Sequence, residues 1–220
     1  MAVAPAAVVF DLDGVLIDSE PVWEEVRRGY VARNGGRWQP DSQQRIMGMS
    51  TSEWAGYLSG ELGVDRPAEV VAVEVIDEMG ERYGQRPPLL RGAVAAVERL
   101  ARRWPLGLAS SSPRRLVDRV LAVTGLADRF RASVSTEEVA RGKPAPDAYL
   151  EVAARLAVPA SACVAVEDSS NGVRSAAAAG MRVIALPAAR YPLAGDAAAA
   201  ARTVLGSLDE LTVATVERLG

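Results

Sequence analysis

The sequence predicts an α/β fold, a doubly wound parallel sheet, with a helical segment inserted after the first strand. Short Val/Ile/Leu-rich runs alternate with amphipathic helical patterns, acidic pairs close two of those runs, and one long stretch holds no strand pattern.

The apolar runs fall at residues 6–10, 106–109, 163–166, 183–186 and 203–205, each bounded by turn residues, as buried parallel strands require. Helical periodicity occupies residues 93–103, 114–124, 147–156, 172–179 and 208–219, and several of these are opened by Ser, Pro or Asp and closed by Gly. From residue 20 to 86 the rhythm breaks, and four amphipathic helices are read there, separated at Gly35-Gly36, at Gly48 and at residues 63–67. The exit Arg86-Pro87-Pro88 is a stiff extended connection of the kind that joins domains. The expected division is a core of residues 1–17 and 88–220 and a helical domain of residues 18–87. The alanine run at 197–201 reads as helix or loop, and no internal repeat is found.

A chain of 220 residues is long enough for such a core without disulfides, and Cys163, its only cysteine, has no partner within the chain. A net charge of −3 with no run of Lys or Arg leaves no footprint for a nucleic acid backbone. The apolar segment 1–10 lacks the basic flank of a signal peptide, and Arg182 interrupts the longest alanine-rich candidate span, so no membrane association is expected. A cytoplasmic monomer is the expectation. There is no histidine, which excludes Ser-His-Asp and Cys-His catalysis and any imidazole metal site, and leaves acid-base work to carboxylates.

Asp11-Leu12-Asp13-Gly14 ends the first strand, where an extended chain points both carboxylates the same way and toward the crevice at the strand ends. Taken alone, the tetrapeptide also fits a solvated turn. Glu167-Asp168 closes the strand at 163–166 in the same manner, although Asp168 could equally cap the following helix. Two such pairs at one sheet edge repel one another unless a cation neutralises them, and oxygen-only ligands point to Mg²⁺ rather than zinc. Ser110, Ser111 and Ser112 follow the strand at 106–109 and lead into a helix, offering hydroxyls and free amides as a phosphate cradle or simply an ordinary helix start. Lys143 is the only lysine among 25 basic residues and stands in the Pro-flanked loop Arg141-Gly142-Lys143-Pro144-Ala145-Pro146-Asp147. A compact ammonium suits a site that must neutralise a carboxylate and a phosphoryl oxygen together. These are the parts of aspartyl phosphoryl transfer.

In chain order, Asp11-Leu12-Asp13-Gly14-Val15, Ser110, Lys143-Pro144 and Glu167-Asp168 resemble the four motifs of the haloacid dehalogenase-like superfamily. The chain is most similar to its branch of β-phosphoglucomutase and small sugar-phosphate phosphatases, by the segments 15–21, 142–147 and 166–172. The resemblance implies a Rossmann-like core with an inserted helical cap. It also implies that Asp11 is the nucleophile and Asp13 the acid-base catalyst, and that Ser110, Ser111 and Lys143 bind phosphate. Mg²⁺ would be held by Asp11, the Asp13 carbonyl and Asp168, with Glu167 binding directly or through water. The substrate implied is a small phosphate ester, a sugar or polyol phosphate.

Dehalogenation is disfavoured because its leaving halide needs no proton and Asp13 is present. Phosphonate cleavage requires a cap lysine, and the segment 18–87 has none. A phosphosugar mutase is the alternative, sharing the core residues. Where the mutase cap resembles Gly-x-Ser-Arg, this chain has Gly48-Met49-Ser50-Thr51, and Trp23 stands where the mutase has a histidine. A noncatalytic protein on the same fold would be expected to lack Asp11 or Asp13, and a nucleotide-binding oxidoreductase would carry Gly-x-Gly-x-x-Gly after the first strand. Trp23 and Trp54 could stack on a sugar face, but tryptophans in amphipathic helices are usually core, and Cys163 reads as packing.

Overall fold

The computed structural model describes residues 4–47 and 49–220; Gly48, read from the sequence as a helix break, lies outside the described residues. The chain divides into two compact units, Met1–Asp18 with Pro87–Gly220, and Ser19–Arg86.

The first unit is a parallel sheet in the order β3-β2-β1-β4-β5-β6, made of β1 (Ala7–Phe10), β2 (Leu106–Ser110), β3 (Phe130–Ser135), β4 (Cys163–Glu167), β5 (Arg182–Ala185) and β6 (Thr203–Val204). Every residue of β1, β2 and β4 is buried, which explains why their sequences read as continuous apolar runs rather than alternating ones. β1 sits between β2 and β4, with Phe10 level with Leu108 on one side and Val166 on the other. The strand order therefore reverses beside β1, which is where open α/β sheets form their ligand crevice. Helices α5 (Ala93–Ala101), α6 (Arg114–Thr124), α7 (Asp147–Arg155), α8 (Ser170–Ala178) and α9 (Gly195–Ala200) connect the strands, and a short α10 (Val213–Glu217) closes the chain.

Two features depart from the sequence reading. β3 was not expected. Its sequence FRASVS alternates, with Arg131 exposed between Phe130 and the buried Ala132, as an edge strand does, and it offers no apolar run. The single helix expected at 208–219 is broken into a 3-10 turn, Leu208–Glu210, and α10. The Thr212 hydroxyl accepts a hydrogen bond from the Thr215 amide at 3.1 Å and so starts a new helix where the periodicity alone shows continuity.

The second unit holds four helices, α1 (Glu20–Arg33), α2 (Ser42–Ile46), α3 (Thr51–Gly60) and α4 (Ala68–Gln85). Its interior is built from Val26, Tyr30 and Val31 of α1, Tyr57 and Leu58 of α3, and Val71, Val75 and Met79 of α4, all buried. Trp23 and Trp54 are also buried, so both belong to this interior. The Ser50 hydroxyl and the Glu53 carboxylate form a reciprocal capping box that opens α3.

Phe10 is fully buried and meets Phe130 edge-on, with ring centroids 6.0 Å apart. Phe10→Ala is expected to lower unfolding stability by about 3–5 kcal/mol, read as a shift in the urea midpoint at unchanged slope.

Candidate active site

The register of β1 against its neighbours brings three strand ends to one level. The Asp11 amide donates to the Val166 carbonyl at 2.9 Å, carrying the pairing of β1 and β4 one residue beyond Phe10. Asp11 is thereby placed beside Ala109 of β2 and Glu167 of β4.

Lys143 reaches this point from the loop between β3 and α7. Its Nζ donates to Asp11 Oδ1 at 2.8 Å, to Glu167 Oε1 at 2.6 Å and to the Ala109 carbonyl at 3.0 Å. An ammonium has three protons, and each is directed at an oxygen here. The Lys143, Asp11 and Glu167 side chains are 5%, 8% and 0% exposed, so these charges interact with little screening by water. Burial alone would lower the lysine's pKa, but the Asp11 and Glu167 carboxylates overcome it and hold the ammonium charged well above its ordinary range.

Glu167 is saturated. Its Oε1 accepts from Lys143 and from the Tyr149 hydroxyl at 2.8 Å, and its Oε2 accepts from the Asp168 amide, the Ser169 amide and the Ser169 hydroxyl at 3.1, 3.3 and 3.2 Å. A Cβ on Gly172 would fall 1.8 Å from Glu167 Oε1, so a glycine is required for this carboxylate to lie where it does. The cap of α8 is Ser169, whose hydroxyl accepts from the Gly172 amide at 3.1 Å, so Asp168 is not the capping residue. The Asp168 carboxylate instead lies against Gly14: a Cβ there would meet Asp168 Oδ2 at 1.9 Å, and Gly14 has φ +77°, a conformation L residues rarely adopt.

Asp13 Oδ2 accepts from the Ser112 hydroxyl at 2.8 Å and from the Ser110 hydroxyl at 3.2 Å, while its Oδ1 is buried with no partner among the described residues. Ser110 is fully buried and its Oγ also accepts from the Ser112 amide at 3.0 Å; Ser111 is exposed. Asp11, Asp13, Glu167 and Asp168 thus share one end of the sheet with Ser110 and Lys143, and Ser111 lies at its exposed side. The sequence reading placed Ser112 in a hydroxyl run without linking it to Asp13, and it gave Tyr149 and Gly172 no part in the site. Ser112 belongs to the same hydroxyl run, but nothing in the local sequence singles out Tyr149, two residues into α7, as a partner of Glu167.

One ammonium does not balance this many carboxylates. Burial, followed by repulsion from neighbouring carboxylates, raises Asp168 to about 9, and burial raises Asp11 to about 8 despite the opposing Lys143 charge. Asp11, Glu167 and Asp168 each bring an oxygen within 4.8 Å of the others, and Asp13 adds an orphaned one. Excess negative charge and oxygen-only donors fit a hard divalent cation such as Mg²⁺. Because Glu167 already accepts from five donors, the free ligand capacity lies with Asp11, Asp13 and Asp168.

Fold and site together define a Rossmann-like core that gathers carboxylates at the carboxyl ends of its strands. The family model for haloacid dehalogenase-like hydrolases matches residues 5–180, and the chain belongs to that family. It is 37% identical over 188 residues to hexitol phosphatase B of Escherichia coli (strain K12), an alignment covering 83% of each protein. It is 34% identical over 181 residues to a phosphorylated carbohydrates phosphatase of Thermotoga maritima, covering 81% of this chain and 83% of that one. Among solved structures, a protein of Thermotoga maritima provisionally assigned as a β-phosphoglucomutase superposes with a TM-score of 0.79 at 30% identity, covering 96% of this chain and 98% of that one. A phosphoric monoester hydrolase, the activity expected from the motifs, agrees with the names of these phosphatases.

The raised carboxylates set the metal-free protein's response to pH. A folded-state pKa near 8 for Asp11 and 9 for Asp168, against 3.8 unfolded, means that the folded state binds protons more tightly, so their contribution to stability is full below pH 4 and is lost as pH rises toward 9. In EDTA, Tm is expected to fall between pH 6 and pH 9, and millimolar Mg²⁺ should restore it most at the alkaline end, where the ion no longer displaces protons. A Tm unaffected by Mg²⁺ across that range in differential scanning calorimetry would rule out the ion site.

Proposed function

We propose that the chain is a Mg²⁺-dependent phosphatase that hydrolyses a small sugar or polyol phosphate monoester through an aspartyl-phosphate on Asp11. The observation that carries this reading is the buried Asp11 carboxylate held at 2.8 Å by the only lysine of the chain. A carboxylate kept out of water, with one oxygen fixed by Lys143, is an oriented nucleophile.

In the proposed reaction a carboxylate oxygen of Asp11 forms a bond to phosphorus as the bond from phosphorus to the leaving oxygen breaks, and Asp13 delivers its proton to that oxygen. Asp13 then takes a proton from water, whose oxygen attacks phosphorus, and the Asp11–phosphorus bond breaks to release phosphate. The Ser110 and Ser112 hydroxyls on Oδ2 fix the Asp13 carboxyl and leave Oδ1 for the proton. Ser110, Ser111 and Lys143 are assigned to the phosphoryl oxygens. Mg²⁺, held by Asp11, the Asp13 carbonyl and Asp168, would supply the charge neutralisation that lets an anionic nucleophile meet an anionic ester. Glu167 acts through Lys143 in this scheme, keeping it charged and aimed at Asp11. The phosphorylated-carbohydrate and hexitol phosphatases named above support the substrate class.

The second reading, a phosphosugar mutase, draws on the likeness to the Thermotoga maritima structure. Against it, Thr51 is uncharged and the Ser50 hydroxyl is committed to capping α3, so Ser50-Thr51 offers no charge for a distal phosphate.

Phosphate release from a panel of sugar, polyol and nucleotide monophosphates, with and without Mg²⁺, tests the proposal. Release should require Mg²⁺ and fall on the order of a thousandfold or more in Asp11→Asn. Conversion of β-glucose 1-phosphate to glucose 6-phosphate with a bisphosphate primer, in the absence of phosphate release, would instead establish the mutase. Tyr149→Phe removes one hydrogen bond to Glu167, an effect of about 1 kcal/mol, and should lower kcat roughly three- to tenfold while leaving KM near wild type.

A further inference from the structure

Ser135, at the end of β3, has no part in the chemistry described above, yet it is fully buried and its hydroxyl is committed in both directions. Its Oγ accepts from the Glu137 amide at 3.2 Å, and its one proton is donated to the Ser112 carbonyl at 2.7 Å. β3 pairs with β2 so that Ser135 stands opposite Ser110. The hydroxyl therefore ties the edge strand of the sheet to the turn that leaves β2.

Ser112 is the residue this bond holds. It is buried, and each of its three polar groups has a different partner. The carbonyl accepts from Ser135, the amide donates to Ser110 Oγ at 3.0 Å, and the hydroxyl donates to Asp13 Oδ2 at 2.8 Å. With the backbone tethered on both sides of its Cα, Ser112 is fixed relative to the Asp13 carboxyl. Glu137 holds the next residues as well, its Oε2 accepting from the Arg114 amide at 2.8 Å where α6 begins.

The two hydroxyls on Asp13 are not equivalent. Ser112 donates at 2.8 Å and Ser110 at 3.2 Å, against a usual span of about 2.5–3.0 Å between hydroxyl and acceptor oxygens. Ser110 also has a single proton. In the reaction proposed above that proton turns to a phosphoryl oxygen, so Asp13 loses this donor when the ester binds and keeps Ser112. The Ser112 bond is then the one that orients Asp13 while a proton is transferred.

We propose that Ser135 is a positioning residue for protonation of the leaving group: by holding the Ser112 carbonyl it fixes the hydroxyl that presents Asp13 Oδ1 to the leaving oxygen. The assignment rests on the phosphatase reading. As the bond from phosphorus to the leaving oxygen breaks, its electron pair stays on that oxygen, and an alkoxide takes the proton of Asp13 to depart as an alcohol. A p-nitrophenolate spreads the charge over its ring and departs as the anion. Misdirecting Asp13 slows an alkyl ester and spares the nitrophenyl ester, whereas loosening the phosphate turn slows both alike.

The test is the ratio of kcat/KM for mannitol 1-phosphate to that for p-nitrophenyl phosphate, with Mg²⁺ present. Both rates are read on the same preparation of each variant, so an unfolded fraction cancels from the ratio. The ratio should fall about tenfold in Ser112→Ala, the loss of one hydrogen bond to the proton donor, and about threefold in Ser135→Ala, where the Ser112 hydroxyl remains but is less well fixed. Ser135 is fully buried, so a change there cannot come from a lost contact with the sugar chain. Ser135→Thr keeps the hydroxyl and should return the ratio to near wild type. An unchanged ratio in both alanine variants, or a Thr variant that falls as far as Ser135→Ala, overturns the assignment while leaving the phosphatase reading intact. Wild type that releases phosphate from neither ester would instead remove the phosphatase reading, and the assignment with it.

Discussion

The structure of the site depends on one buried ammonium. Lys143 joins the loop before α7 to the ends of β1, β2 and β4 through Asp11, the Ala109 carbonyl and Glu167. Removing one partner from such a buried pair leaves an uncompensated charge, a loss of about 3–5 kcal/mol. The surrounding residues are arranged around that constraint. Tyr149 and Ser169 complete the shell of Glu167, Gly172 leaves room for it, and Glu167 in turn fixes the lysine that faces Asp11. Arginine, used at every other basic position, would not serve here: its planar fork cannot direct three hydrogen bonds from one atom.

The same constraint shows why the sheet order matters. With β1 between β2 and β4, three chemical inputs arrive from segments far apart in sequence: carboxylates from β1 and β4, and hydroxyls from the end of β2. A register shift of one residue on either side of β1 would turn Asp11 away from Glu167 and Ala109, because successive side chains point to opposite faces. The full burial of β1, β2 and β4 fixes that register through packing on both faces, so the hydrophobic core sets the geometry of the polar site.

Much of this was legible in the sequence because the informative residues are local. Asp11-Leu12-Asp13-Gly14 and Glu167-Asp168 each follow an apolar run directly, and a lone lysine in a chain rich in arginine marks itself. The residues that escaped notice are partners by tertiary contact alone. Tyr149 has no sequence signal linking it to Glu167, and Ser112 differs from Ser110 and Ser111 only in where the turn points it. β3 escaped for a different reason. An edge strand packs one face, so FRASVS carries Arg131 and two serines and lacks the apolar run that marks its neighbours.

Glu167 illustrates how a residue's role is decided by what its oxygens already hold. From sequence it is one of an acidic pair and so a plausible metal ligand, and its position among Asp11 and Asp168 agrees with that. Yet a carboxylate has about four lone-pair sites, and Glu167 receives an ammonium, a phenol, a hydroxyl and two amides. Direct coordination of a cation would require it to release one of these, and releasing Lys143 would free the ammonium that fixes Asp11. Asp168, its neighbour in sequence, is held by steric closeness to Gly14 rather than by a full set of donors. Of the pair, the residue with an incomplete shell is the one chemically equipped to bind a cation, and the residue with a complete shell is the one equipped to hold the lysine.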